Sequence, residues 1–589
     1  MKQQLAKWLL TAAIALSLFS GSTENLRAER PPTPKLLPPA TLAMARISDF
    51  QQLSDRFQQT ALGRMVQDPQ IKPLIGQLYK TAEDAYKRVE EQVGMPLNDL
   101  LAIPQGEISV AFVCPPDQPP GLAVVFDVGD RVFQVRKLLE RGEEVLRKNG
   151  GSKTPETIGS QEVACYRAGG NTQLYLLQRD ASICLTSSKE IMQFLITAWD
   201  GAASETLADV DKFNTIMSRC GVGGPDSPQI TWFVDPIELV RRLARGSFAA
   251  TGLALLPVLG LDGLEGAGGS MVFAAGEFDE IQHFHIALDQ PRTGVLEAVA
   301  LRAGDSTPES WVPSDCVTYT TFHWDLNQTL KVASKLYNGL VGENALQQEI
   351  RTRVSDKLGA DFEKELLPYL DGRGTFVQWV EKPVRINSIA AIMGARLRDP
   401  EAFQPTFDKI VQKHSQHLEK QRFGNVTYWS AKVGQQMPKG DKGPALRQPT
   451  PCFGIVGNYL IFSDSPLALQ ECVLNSGDST RGLANSLDYK LIASKIKRQP
   501  GGDAPGMVQF SRPEEGMRFW YDLAAAEDTK RRLTKQAENN GFFRSVDQAL
   551  KDHPLPPFSV LEQYFAPGGG MMVNDETGLH YMTFTLKRQ

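Results

Sequence analysis

Short stretches in which apolar and polar positions alternate with period two recur along the chain, separated by longer stretches of helical period. Ala40–Ile47, Gly106–Val113, Leu122–Val128, Glu162–Tyr166, Ser182–Ser188 and Ile230–Val234 read as strands, and Arg131–Lys148 carries the clearest helical pattern. A second series follows in the same order. Asp315–Trp324, Gly374–Val380, Ile389–Leu397, Asn425–Trp429, Tyr459–Ser465 and Met507–Pro513 match the first set one by one. Each series ends in a glycine cluster, Gly266–Gly269 or Gly568–Gly570, followed by a two-strand ending at His283–Leu288 or Tyr581–Leu586.

About eight such matches in one order predict two tandem, divergent copies of a single unit. The unit reads β-α-α-β-β-α-β-β-β-α-α-β-α-β-β, and its short turns imply mostly antiparallel pairing with helices covering the sheet. The expected fold class is therefore α+β. The boundaries follow: a leader over 1–28, a first unit over 38–290, a linker over 291–314 and a second unit over 315–589. The offset between copies grows from about 265 to about 300 residues, which places extra length in the second unit, near 434–448 and 524–552.

The opening residues change the picture of location. Lys2 and Lys7 precede an apolar run from Trp8 to Phe19, and small residues Ser20, Gly21 and Ser22 follow. That is the layout of a secretory signal peptide, with Ser22 as the first choice of cleavage point and Ala28 the second. Export to the periplasm or beyond is expected, an uncleaved N-terminal anchor being the lesser alternative. Phe248–Leu261 is uncharged but is broken by Gly252, Pro257 and Gly260, so it predicts a buried helix and no membrane span.

Composition excludes a few classes. The 63 basic and 68 acidic residues leave a formal charge of -5, with no global field to draw nucleic acid. The seven cysteines have no CxxC spacing and read as small buried residues, with Cys165 and Cys184 as one candidate pair on neighbouring strands.

Candidate chemistry is sparse. GxSxG, HExxH, Walker-type and EF-hand motifs are all missing, and no catalytic residue, cofactor site or metal site is assigned. His283-x-His285 presents two rings on one strand face, with Asp279 and Glu280 near in sequence. The matching positions of the second series, Tyr581 and Thr583, point instead to a packed sheet face. His414 and His417 fall on the helix after Pro400, among Lys413, Lys420 and Arg422, whose charges oppose a bound cation. Both glycine clusters lead into strands, unlike a phosphate cradle, which leads into a helix. Lys530–Lys535 is mixed with Glu527, Asp528 and Glu538, as on a solvated helix face. Trp232, Trp324, Trp379 and Trp429 fall on strands, where aromatics fill cores or cross-strand pairs. Asp130 and Asp399 sit at strand-to-helix joints and read as N-caps, as do Ser188 and Ser465.

The run Trp311-Val-Pro-Ser-Asp-Cys-Val-Thr-Tyr-Thr-Thr-Phe-His-Trp-Asp325, together with Leu259-Gly-Leu-Asp-Gly-Leu264, resembles a family of uncharacterised exported bacterial proteins of planctomycete type. The family carries a domain of unknown function. The resemblance implies export and a repeated domain, and it brings no activity or catalytic residue with it. The function expected is that of a non-enzymatic exported binding or scaffold protein of the periplasm or envelope, acting on an unknown protein or envelope partner. An exported hydrolase with one active and one degenerate copy is the first alternative, and a chaperone-like assembly factor the second.

Overall fold

The period-two stretches become strands because β-branched and aromatic side chains on alternate positions pack a sheet from one face or both. The computed structural model describes residues 30–588 apart from 117, 169–172, 225, 245–249, 386, 433–446 and 479. Residues 1–28, where a leader is expected, and most of the polar stretch near 434–448 lie outside the described residues.

The fold is α+β, built on one sheet of 20 strands among the described residues. Its first ten strands are β1 (Thr41–Ile47), β2 (Ile108–Val113), β3 (Gly121–Asp127), β4 (Ser152–Ile158), β5 (Gln161–Arg167), β6 (Gln173–Arg179), β7 (Ser182–Thr186), β8 (Ile230–Val234), β9 (Leu264–Ala275) and β10 (Phe278–Leu288). The next ten are β11 (Thr318–His323), β12 (Leu370–Val380), β13 (Ile389–Leu397), β14 (Leu418–Phe423), β15 (Val426–Ala431), β16 (Cys452–Val456), β17 (Tyr459–Ser463), β18 (Met507–Ser511), β19 (Gly568–Asp575) and β20 (Gly578–Leu586).

Every pairing is antiparallel, and β10 pairs with β20 at the middle of the sheet. Outward from that seam the first half runs β10-β9-β8-β1-β2-β3-β7-β6-β5-β4. The second half runs β20-β19-β18-β11-β12-β13-β17-β16-β15-β14, the same order of connections.

Helices Lys189–Trp199 and Asp211–Arg219 pack Met192, Leu195, Ile216 and Met217 on one face of the first half. Helices Pro466–Gly477 and Leu487–Lys497 bury Leu469, Cys472, Ile492 and Ile496 in the second. The opposite face is covered toward its outer strands by helices Val132–Lys148 and Pro400–Lys413. Adjacent residues prove the two faces: Leu177 joins one core and Leu176 the other, as do Ile461 and Leu460.

Before the first strand of each half a short segment is tied beneath the sheet. Leu36 and Leu37 are fully buried, and Arg30 bonds Asp127 at 2.8 Å and lies 3.3 Å from Glu107. Trp311 and Val312 are buried likewise, and there Glu309 supplies the carboxylate, 3.0 Å from Arg373. Residues 291–314 thus carry helix Gly294–Ala298, a bridge from Leu301 to Trp324, and this buried tie.

Several local expectations need correction. Each half has one strand more than the pattern predicts, β4 and β14, at the two edges of the sheet. Their sequences, SKTPETI and LEKQRF, show no apolar alternation because most of their side chains face water at the sheet's edges and are polar or charged. The helix after Pro400 ends at Lys413, so His414 is its C-cap and His417 precedes β14. Asp399 caps that helix, but Asp130 caps nothing: its helix starts after Arg131, which Asp130 meets in an ion pair. Cys165 and Cys184 lie on β5 and β7 with β6 between them, and all seven cysteines are buried free thiols. Within 248–261 the described helices are two single turns, Ala250–Leu253 and Leu256–Leu259, with Leu255 and Val258 exposed; Gly260, at φ +68°, ends the second. Among the described residues no helix is long and apolar enough to cross a membrane.

Candidate functional site

The seam between β10 and β20 gathers three histidines, with Arg219 and Asp575 beside them. In its register His285 stands opposite His580, and His283 opposite Met582. Directly opposed residues of an antiparallel pair project to the same face, so the three imidazoles meet on one side of the sheet. That side is covered by helix Asp211–Arg219 and the turn after it, where Gly221 approaches the His283 ring.

The contacts are close. His283 Nδ1 lies 3.3 Å from His580 Nε2, and the two rings stack with centroids 5.4 Å apart. The His285 ring is 5.6 Å from that of His580. His285 is 0% exposed, and among the described residues its ring nitrogens have no partner beyond the Thr577 backbone; Nδ1 of His580 has none. Burial, with the Arg219 charge beside them, pushes His283 and His285 down to about 4. His580 falls to about 3, from burial and then the neighbouring His283 and Arg219. All three rings are therefore neutral at neutral pH.

Arg219 reaches from the end of its helix to Asp575, at 2.5 Å. Burial opposes the charge of Asp575, but the Thr577 hydroxyl and amide, Arg219 and His285 together hold its carboxyl below the usual range. Asp575 also opens onto a cleft of about 750 Å³ at the same joint. Gln290, Arg292, Glu297, Gln328, Asn574 and Glu576 supply its polar wall, and Leu296, Val299 and Ala300 its apolar wall. Arg292 is already committed there, donating to Asn574 Oδ1 and to the carbonyls of Asp575 and Gly578. Glu297 accepts from Gln328 at 2.8 Å, which ties residues 294–298 to helix Leu326–Val341.

The sequence candidates separate in space. His283 and His285 come together, but with His580 rather than with Asp279, whose carboxylate accepts from the Ala61 amide at 2.6 Å. Glu280 accepts from Gln282 on its own strand. His414 faces the Lys357 carbonyl, away from the seam. The glycine clusters lie inside β9 and β19, where they let helices approach. Lys530 pairs with Glu527 on an exposed helix. Trp232, Trp379 and Trp429 fall on β8, β12 and β15, too dispersed for one platform, and Trp324 lies just past β11 and donates to Thr329. Among the described residues no group of three or more His, Cys, Asp or Glu is arranged to hold a metal ion. Burial pushes the thiols of Cys184, Cys220, Cys316 and Cys452 up to about 12, so none is a ready nucleophile at neutral pH.

His580, Arg219 and Asp575 give no signal along the chain. Each acts through a partner hundreds of residues away, and a lone histidine in a strand pattern has no spacing to mark it.

No protein-family model and no curated protein matches the chain. A solved structure described as "Structure of crystal form III of TP0453" is similar over 47% of this chain and 84% of that chain, at 8% identity and a TM-score of 0.21. A likeness of that degree carries no argument about fold or function.

Proposed function

We propose that the chain is an exported, non-enzymatic binding or scaffold protein of the periplasm or cell envelope, and that it presents its partner site at the joint between its two halves. The observation that carries this reading is the cleft itself: open, walled by both polar and apolar side chains, and assembled from residues 290–300, helix Leu326–Val341 and the β19–β20 turn. Clefts at the junction of two packed units are common places for ligands. Export rests on the layout of the leader and on the family resemblance.

We also read the halves as divergent copies of one unit. The shared strand order supports this, and so do two ion pairs that recur with their charges exchanged. Lys212 on helix Asp211–Arg219 meets Asp235 after β8, whereas Asp488 on helix Leu487–Lys497 meets Arg512 after β18. Beneath the sheet, Arg30 of the tie meets Glu107, whereas Glu309 of the tie meets Arg373. The hydrolase alternative gains nothing comparable, because Asp279 stands apart from the histidines.

Affinity capture from a cell-envelope extract tests the reading, with the full chain beside a Gln328→Ala/Glu576→Lys variant altered only at the cleft. A partner retained by the full chain and lost by the variant is expected. Equal recovery by both would remove the cleft from the account, and turnover of a substrate by the purified chain would remove the non-enzymatic reading.

A further inference from the structure

We propose that His283, His285 and His580 form an acid-sensitive latch, whose protonation opens the β10–β20 seam and shifts the β19–β20 turn that walls the cleft. The proposal stands whether or not the cleft binds a partner, because it concerns the joint itself.

The geometry requires neutral rings. The 3.3 Å contact between His283 Nδ1 and His580 Nε2 needs one nitrogen bare and the other bearing a hydrogen. With both rings charged, two N–H groups would face each other at that distance. His285 has no water-exposed surface and, beyond the Thr577 backbone, no hydrogen-bond partner for its ring nitrogens among the described residues, so a proton there would be a poorly compensated buried charge. The groups around the cluster do not relieve this. From helix Asp211–Arg219 comes a like charge, Arg219, and after it the buried Cys220, whose carbonyl accepts from Ser270 of β9. From the β19–β20 turn comes Asp575, a carboxylate that would welcome a proton nearby, and it is held by Arg219 and Thr577.

The direction follows. Histidines freed by opening regain their ordinary affinity near 6.5, while in the closed seam they titrate at about 4, about 4 and about 3. The open state therefore binds more protons between roughly pH 6.5 and 4, and acid favours opening across that window. Below it the closed seam protonates too, and the dependence levels off.

Hydrogen exchange of the full-length chain, corrected for intrinsic pH dependence, reads the opening. Amides of β10 and β20 are compared with those of the β1–β2 pair. Between pH 6.5 and 4.5 the seam should lose protection by up to about tenfold per pH unit for each proton taken up, while β1–β2 holds. Parallel loss in both regions, or a flat seam, would overturn the proposal. His285→Phe, close in shape and without nitrogens, should remove one proton's share of the slope, and an unchanged slope counts against the latch. Should that variant fail to fold, histidine NMR titration of the unaltered protein decides: ordinary values near 6.5 for the three rings would overturn it, and depressed values would support it.

Discussion

Two glycines set how closely the helices sit on the sheet. A Cβ on Gly268 would come within 2.4 Å of Ile216 Cγ2, and one on Gly569 within 2.2 Å of Ile492 Cγ2. Ile216 and Ile492 are fully buried on the helices that cover each half, so neither can yield without leaving its core. Gly268→Ala and Gly569→Ala should each lower stability by about 1–3 kcal/mol, the range for overpacking a dense core. Gly142 is the control: it lies inside helix Val132–Lys148, where an added Cβ would meet nothing within 4 Å, and alanine there should add up to about 1 kcal/mol. Urea unfolding of the three variants checks all of these, and a neutral Gly268→Ala would contradict the close approach. At this scale the sequence is readable where chemistry is local. Ser188, Ser465 and Asp399 accept from amides three residues on, as their positions before helices predict. Asp130 departs from that expectation because the helix beyond it begins one residue later than its pattern. The glycine clusters lead into strands and so are unfit for phosphate, but their purpose depends on a helix some fifty or more residues upstream, which no local pattern can name.

Between elements, the charge-exchanged pairs show how one packing contact is met in two ways. Asp235 is nearly buried; it pairs with Lys212 and also caps helix Pro236–Leu243 through the Glu238 amide. Arg512, in the corresponding place, cannot cap, and helix Pro513–Ala525 accordingly has no side-chain cap; Arg512 bonds Asp488, Ser486 and the Ser314 carbonyl instead. Lys212→Asp alone sets two carboxylates together, and Asp235→Arg alone sets two cations together and removes the cap. The double variant restores a pair of the kind the second half uses, though without the cap, worth about 1 kcal/mol. A double-mutant cycle should therefore give a favourable coupling of about 2 kcal/mol, reduced from a fully buried pair because Lys212 is one-third exposed. Additive effects would mean that the pair contributes nothing as a pair. Strand existence is legible wherever one face is buried, as in β1, β2, β7 and β12. It fails at β4 and β14, where the pattern that marks a strand is erased by the charged residues and the proline that also keep an exposed sheet edge from pairing with other chains.

At the scale of the whole molecule, the seam decides whether either half can stand alone. In the intact chain β10 and β20 satisfy each other's backbone groups over nine residue pairs. The halves also touch away from the sheet, where helix Lys72–Val93 leans on helix Gly541–Asp552 and Ile71 joins a cluster with Phe558 and Leu561. Separated, residues 30–290 would present β10 as an open edge, with Phe278, Ile281, Phe284 and Ile286 along it and no proline or lysine to blunt it. Such an edge is a template for pairing with another chain. In the intact register His283 faces Met582 and Phe284 faces Tyr581, so β20 crosses β10 antiparallel about its middle, and a second β10 could lie in the same place. The isolated 30–290 fragment should therefore dimerise or associate further at micromolar concentration, and Ile281→Lys on that edge should weaken the association. Light scattering after size exclusion distinguishes the outcomes. A fragment that stays monomeric and folded would mean that the edge is protected without its partner strand, and that the two halves are joined by less than their shared sheet implies.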